Sequence, residues 1–170
     1  FSSPIAYIVI GLYLLTISLF LWVIPGEWNI VETGYADCAG LFQLSPWLLM
    51  LLCPALTMRL FAEERQTGTW DVLLSKRIQV RQIVCGKFFA AWTLTLMAIL
   101  PCVVHYFVVY YIAEPIGNVD GGAFAGSLVG LVLLSGTLTA LGVLAGSVGK
   151  SQIVAFLLGV VICFVLYWVT

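Results

Sequence analysis

The sequence predicts an all-α, polytopic helical membrane protein, and three observations predict it. Hydrophobic residues make up 62% of the chain and charged residues 9%. Soluble domains sit near half apolar and a quarter charged, so the charges here are too few to coat a water-soluble fold. The apolar residues fall in runs of about 20, the length of helix that crosses a hydrocarbon core. Six of the seven Lys and Arg residues lie in a single stretch, 59–87.

Five crossings follow in order. The first covers about 5–24, after Ser3-Pro4, where Ser suits an N-cap and Pro the first helical position. The second, about 46–62, opens on the same signal at Ser45-Pro46. Its apolar core ends at Met58, so the helix is expected to continue past the membrane surface into a charged cluster. The third covers 88–112, the fourth 123–147 and the fifth 152–168. Pro54 and Pro101 are expected to kink the second and third, since each removes a backbone donor. The connection before Ser45-Pro46 is long enough for a short interfacial or re-entrant helix, with Trp28, Ile30 and Val31 as lipid contacts.

Orientation comes from the basic residues. The first and third connections hold Glu27, Glu32, Asp37, Glu114 and Asp120 and no Lys or Arg. The second holds Arg59, Arg65, Lys76, Arg77, Arg81 and Lys87, and the fourth Lys150. Lys and Arg near crossing ends mark the cytoplasmic side, which places both of these connections and the N-terminus there. Trp22, Trp47, Tyr106, Tyr110, Tyr111, Tyr167 and Trp168 fall at the expected outer ends, where amphipathic rings favour the interface. The chain starts at Phe1 and stops at Thr170 with no outer tail, and so reads as an excerpt lacking a cytoplasmic lead and a sixth crossing. No signal peptide is visible: the first run is too long, and Pro25-Gly26-Glu27 is no small-residue cleavage site.

The cysteines carry no chemistry by pattern. Cys53, Cys102 and Cys163 fall inside crossings as small hydrophobes. Cys85 faces the reducing cytosol, Cys38 stands alone outside, and no CxxC spacing occurs. No metal, cofactor or catalytic residue is expected, and no basic patch outside the one loop would meet nucleic acid.

Loop 59–87 has a pattern of its own. Gly68 breaks the helix leaving the second crossing, and Thr69 caps a new short one. Trp70, Leu73 and Leu74 then fall at i, i+3 and i+4 on one face. Two readings stay open on the residues alone. One is an interfacial helix under anionic headgroups; the other is a docking element for a cytoplasmic protein.

The run Arg59-Leu60-Phe61-Ala62-Glu63-Glu64-Arg65-Gln66-Thr67-Gly68-Thr69, then Leu73-Leu74-Ser75-Lys76 and Ile83-Val84-Cys85-Gly86-Lys87-Phe88, resembles the membrane subunit of ABC-2 type ATP-binding cassette transporters. Arg77 departs from the family pattern, which has Pro at that turn. The opening Phe1-Ser2-Ser3-Pro4-Ile5-Ala6-Tyr7-Ile8, with Gly34-Tyr35-Ala36 and Pro46-Trp47, is more narrowly similar to the permease subunit of the bacterial gliding-motility ABC transporter. The resemblance implies a six-crossing, non-catalytic permease in a bacterial inner membrane, paired with a second permease subunit, like or unlike. It implies a cytoplasmic coupling helix between the second and third crossings, set into a separate ABC ATP-binding subunit. By motif position, Glu63, Glu64, Arg65, Gly68 and Thr69 would build the bend, and Trp70, Leu73 and Leu74 the contact face.

Gly149-Lys150-Ser151 imitates the end of a phosphate loop, but Leu144 stands where the Walker pattern needs Gly. Gly122, Gly126 and Gly130, with Gly142 and Gly146 further on, form small-xxx-small faces that let helices approach in lipid, and Ser135 and Thr139 extend the second of them. His105, the only His, is expected to bond a neighbouring helix. A membrane scaffold without transport and an ion-driven secondary transporter are the alternative functions; the second needs intramembrane carboxylates, and the predicted crossings have none. A membrane-impermeant maleimide should leave Cys85 unmodified in spheroplasts and modify it once the membrane is opened; modification from outside would invert the topology.

Overall fold

The computed structural model of the protein describes residues 4–66, 68, 79–149 and 151–169, with residues 5 and 59–66 as backbone only. Every regular element among them is helical: α1 (Pro4–Trp22), α2 (Ile30–Thr33), α3 (Ala39–Gln66), α4 (Val80–Ile99), a 3-10 turn (Leu100–Cys102), α5 (Val103–Ile112), α6 (Gly121–Val148) and α7 (Gln152–Val169). Four stretches are long and apolar enough to cross a bilayer: Ala39–Met58, Val80–Ile112, Gly121–Val148 and Gln152–Val169. Ala6–Trp22 in α1 is a shorter apolar helix. The chain is thus a polytopic helical membrane protein.

The helices start and stop for local reasons. α2 opens on Asn29, whose Oδ1 accepts from the N–H groups of Val31 and Glu32, and it ends at Gly34 with φ +67°. Asp37 accepts from Ala39 N–H at 3.1 Å, and Asp120 accepts from Gly122 and Ala123 at 3.0 and 3.1 Å. At α7 the Ser151 hydroxyl accepts from Val154 N–H at 3.3 Å. Each acceptor satisfies donors that have no partner inside the helix. Gly149 and Ser151 therefore lie between α6 and α7; Lys150 lies outside the described residues. A Cβ at Gly149 would sit 2.7 Å from the Ala155 backbone, so only glycine fits at this position.

Two helical starts differ from expectation. α3 begins at Ala39, not at Ser45-Pro46, and runs unbroken through Pro46 and Pro54. Trp47 consequently stands about two turns inside α3 rather than at its end. α4 begins at Val80, ahead of the expected 88, and the 3-10 turn interrupts the helical run at Pro101. α6 and α7 match 123–147 and 152–168 to within two residues.

The chain divides into two compact units. One comprises Phe1–Leu48 with Leu96–Leu134, the other Leu49–Thr95 with Ser135–Thr170. The core of the first unit gathers Cys38, Val109 and Phe124, with Trp22, Ile30, Phe42 and Tyr106 packed around them. The Phe124 ring lies 4.4 Å from Tyr106 and 5.3 Å, edge-on, from Phe42, the offset and T-shaped spacings that ring quadrupoles favour. Trp28 sits edge-on to Phe20 and donates to Gln43 at 3.2 Å. A Cβ at Gly40 would stand 2.8 Å from the Trp28 carbonyl oxygen. Of the three expected lipid contacts, then, only Val31 is exposed. His105 Nε2 lies 3.3 Å from the Ser18 hydroxyl on α1, the neighbouring-helix bond expected of it.

In the second unit α3, α6 and α7 close on small residues. A Cβ at Gly142 would collide with the Thr57 hydroxyl, and one at Gly159 would stand 2.9 Å from Pro54 Cβ. Thr57 is held in place because its hydroxyl donates to the Cys53 carbonyl at 2.9 Å. Gly142→Ala should lower stability in detergent by about 1–2 kcal/mol, because overpacking costs of ~1–3 kcal/mol exceed the helix gain of Gly→Ala. Gly126→Ala, where a Cβ meets open space, should instead raise it by about 0.5 kcal/mol. Thermal unfolding of the two variants measures both signs.

Candidate functional site

Helix occupies both ends of the 59–87 stretch. Residues 59–66 complete α3 and residues 80–87 open α4. The apolar window of α3 closes at Met58, so the helix continues about 12 Å beyond it at 1.5 Å per residue. Glu63, Glu64 and Arg65 ride on that extension as part of its last turns. Glu and Arg are good helix formers, and no Gly, Pro or β-branched residue interrupts 58–66. The helix stops where Thr67-Gly68 follows. Gly68 has φ +68° with open space around it, a left-handed conformation that an L side chain adopts only at a cost of roughly 1–2 kcal/mol. Gly68 thus has the backbone conformation that favours glycine. Thr69, Trp70, Leu73 and Leu74 lie outside the described residues, as do Lys76 and Arg77.

On the α4 side, Arg81 and Cys85 are exposed and Lys87 is buried, at 9% exposure. Lys87 belongs to the helix and not to the loop.

Within the second unit a polar seam joins three helices. Thr139 on α6 donates to the Ser135 carbonyl at 2.7 Å and lies 3.5 Å from the Thr95 hydroxyl on α4. It also approaches Cys53 Sγ on α3 at 3.7 Å. Trp92 Nε1 donates to the Ser135 hydroxyl at 3.3 Å. Thr57, Thr95, Ser135 and Thr139 are all fully buried. The Thr57, Thr95 and Thr139 hydroxyls donate to carbonyls of their own helices, so the seam packs helices and leaves those donors satisfied. Thr57, Thr95, Cys53 and Trp92 are the members that sequence reasoning missed. No local pattern tells which hydroxyls of separate helices will meet.

The small residues of α6 fall into two groups. Gly142 and Gly146 are buried, and Ser135 and Thr139 continue that face. Gly122, Gly126 and Gly130 are exposed; a Cβ at Gly126 or Gly130 would touch nothing, and one at Gly122 would meet only its own cap, Asp120. Among the described residues no group of three or more His, Cys, Asp or Glu is placed to hold a metal ion. Just ahead of α3, burial, and then the neighbouring Asp37 carboxylate, push the Cys38 thiol up to about 11.

Residues 38–170 match the family described as ABC-2 family transporter protein. The chain belongs to that family. The match starts immediately before α3 and takes in α3 to α7, leaving α1 and α2 outside it. No curated protein and no solved structure matches the chain. Membership makes it the membrane component of an ABC transporter, a type of component that is typically non-catalytic and that associates with an ABC ATPase in the membrane. Within this ABC-2 protein the Gly68 bend has a sharp test. Gly68→Val should weaken transport by the full-length transporter, and Gly68→Asn, which tolerates the left-handed region, should retain most of it. Transport into sealed vesicles, at equal levels of inserted protein, distinguishes the two.

Proposed function

We propose that this ABC-2 protein is the permease subunit of an ATP-driven exporter, and that its 59–87 hairpin couples it to a separate ATPase subunit. One observation supports the reading above the rest. α3 leaves its apolar window as continuous helix and carries Glu63, Glu64 and Arg65 about two turns further, up to a glycine in the left-handed region. A motor that moves membrane helices from outside the bilayer needs a stiff arm, and an unbroken helix is one. In this reading Thr69 caps a coupling helix beyond the bend. Trp70, Leu73 and Leu74 form the apolar face that seats in the ATPase, because large aromatics anchor protein interfaces. Arg81 adds positive charge beside the contact.

The same reading places the hairpin and the N-terminus in the cytoplasm of a bacterium, with the inner membrane as the location. The exposed Gly122, Gly126 and Gly130 face is the surface at which a second permease subunit would pack closely. Gliding motility is the narrower role that the resemblance at Phe1 to Ile8, Gly34-Tyr35-Ala36 and Pro46-Trp47 suggests; of these, Pro46-Trp47 alone lies within the family match. In this reading hydrolysis of ATP belongs to the partner, as Leu144 stands where a phosphate loop ending in Gly149-Lys150-Ser151 needs Gly.

Trp70→Ala should release the ATPase subunit while membrane insertion stays intact, because truncating a central interface aromatic commonly costs about 2 kcal/mol or more. Co-purification of the ATPase with the tagged full-length permease reads the outcome. Wild-type recovery of the ATPase would remove Trp70 from the contact.

A further inference from the structure

The first unit, whose sequence carries no Lys or Arg, also contains a cleft. In the first unit a cavity of about 480 Å³ opens between α2 and the end of α5. That volume falls in the range of small-molecule sites. Trp22, Ile30, Val109 and Ile112 give it apolar and aromatic walls, and Glu114 and Asn118 give it polar ones. Tyr35 and Val31 stand at it with exposures of 77% and 67%, so the mouth of the cleft is open and not covered by the rest of the unit.

Three features of the lining favour one sign of charge. Glu114 is the single charged side chain in it. Val109 and Ile112 belong to the last turn of α5 and Ala113 is its C-cap, and a helix C-terminus carries partial negative charge from its carbonyls. Trp22 and Tyr35 present ring systems, and aromatic faces attract cations. No opposing group is present. Residues 1–58 and 88–149 contain no Lys or Arg, while Glu27, Glu32, Asp37, Glu114 and Asp120 are all there.

The lining also selects within cations. A divalent metal ion wants several oxygen ligands, and Glu114 offers the only carboxylate. Apolar walls give nothing to a compact hydrated ion, yet they match the hydrocarbon part of an amphipathic one. We propose that this cleft binds a monovalent organic ammonium compound carrying an alkyl or aryl group, with the ammonium at Glu114 and the apolar part against Trp22, Ile30 and Ile112. The ligand arrives from water and is not a membrane phospholipid. A phospholipid headgroup would bring its phosphate towards Glu114 and the α5 carbonyl end, with no base in this part of the chain to receive it.

The test is equilibrium binding of radiolabelled hexyltrimethylammonium to the full-length protein in maltoside micelles. Saturable binding is expected, with the isosteric neutral alcohol and hexanesulfonate failing to compete. Glu114→Gln should weaken binding about tenfold, the scale of losing one charge-assisted contact. Val31→Trp, which obstructs the mouth from an exposed position, should weaken it as well. Glu27→Gln removes the same charge from outside this cleft and should leave binding unchanged. Unfolding midpoints of the three variants should match wild type, which separates loss of the site from loss of the fold. Equal binding by the well-folded Glu114→Gln variant would overturn the proposal, and so would equal weakening by Glu27→Gln. Displacement by added phosphatidylethanolamine or phosphatidylcholine, at concentrations where the free ammonium displaces, would overturn the assignment to a water-borne ligand.

Discussion

Backbone hydrogen bonds that have no water to fall back on constrain everything else in this chain. Inside hydrocarbon each N–H and C=O must be satisfied by its own helix, and the molecule answers with long helices whose exceptions are all at ends or at prolines. At four helix starts a side-chain oxygen takes up the donors: Asn29, Asp37, Asp120 and Ser151. Three of the buried hydroxyls obey the same rule, while the Ser45 hydroxyl, also buried, has no hydrogen-bond partner. Thr57, Thr95 and Thr139 each turn back to a carbonyl four residues earlier, which lets polar side chains sit at 0% exposure without stranded donors. Such groups glue helices together in lipid, and here they link α3, α4 and α6 within one unit.

Charge is the second organising element, and it is polarised along the sequence. The bases are concentrated at 59–87, with Lys150 apart, and five of the carboxylates lie in the α1–α3 and α5–α6 connections. The positive-inside rule uses this asymmetry for insertion. The same asymmetry also gives separate stretches of the chain different ligand chemistry. A stretch rich in Lys and Arg suits a protein groove or anionic headgroups. A carboxylate-bearing unit with an aromatic cleft suits cations.

Element identity was legible in the sequence; two of the boundaries were not. The ends of α6 and α7 were readable because Asp120-Gly121-Gly122 and Gly149-Lys150-Ser151 punctuate otherwise apolar runs. The start of α3 was not, because Ser45-Pro46 imitates a cap. Pro46 is accepted inside α3 instead, and the effective acceptor is Asp37, an N-terminal signal eight residues ahead of Ser45 that precedes an apolar run and was readable in principle. The early start of α4 was hidden by its composition: Val80-Arg81-Gln82 looks like loop when judged by hydropathy, yet Arg and Gln are good helix formers. For the candidate site, Gly68 was legible because positive φ is a glycine property. The cross-helix seam and the Glu114 cleft depend on which faces of distant segments meet, and a single sequence carries no signal for that.

The grip on α3 is what gives its extension mechanical meaning. Pro54 on α3 lies against Gly159 of α7, and one turn further Thr57 lies against Gly142 of α6. Both contacts are too close to admit even a Cβ, so α3 is clasped at backbone distance on two sides shortly before it leaves its apolar window at Met58. Pro54 also removes one hydrogen bond from the helix at that level. In the proposed exporter, a displacement applied at the Gly68 bend would therefore travel along residues 59–66 as a rigid arm. It would reach α6 and α7 through glycine contacts that have no soft side chain to absorb it. Loosening that clasp and softening that bend would then weaken transport by the same route, even though neither position touches nucleotide or cargo.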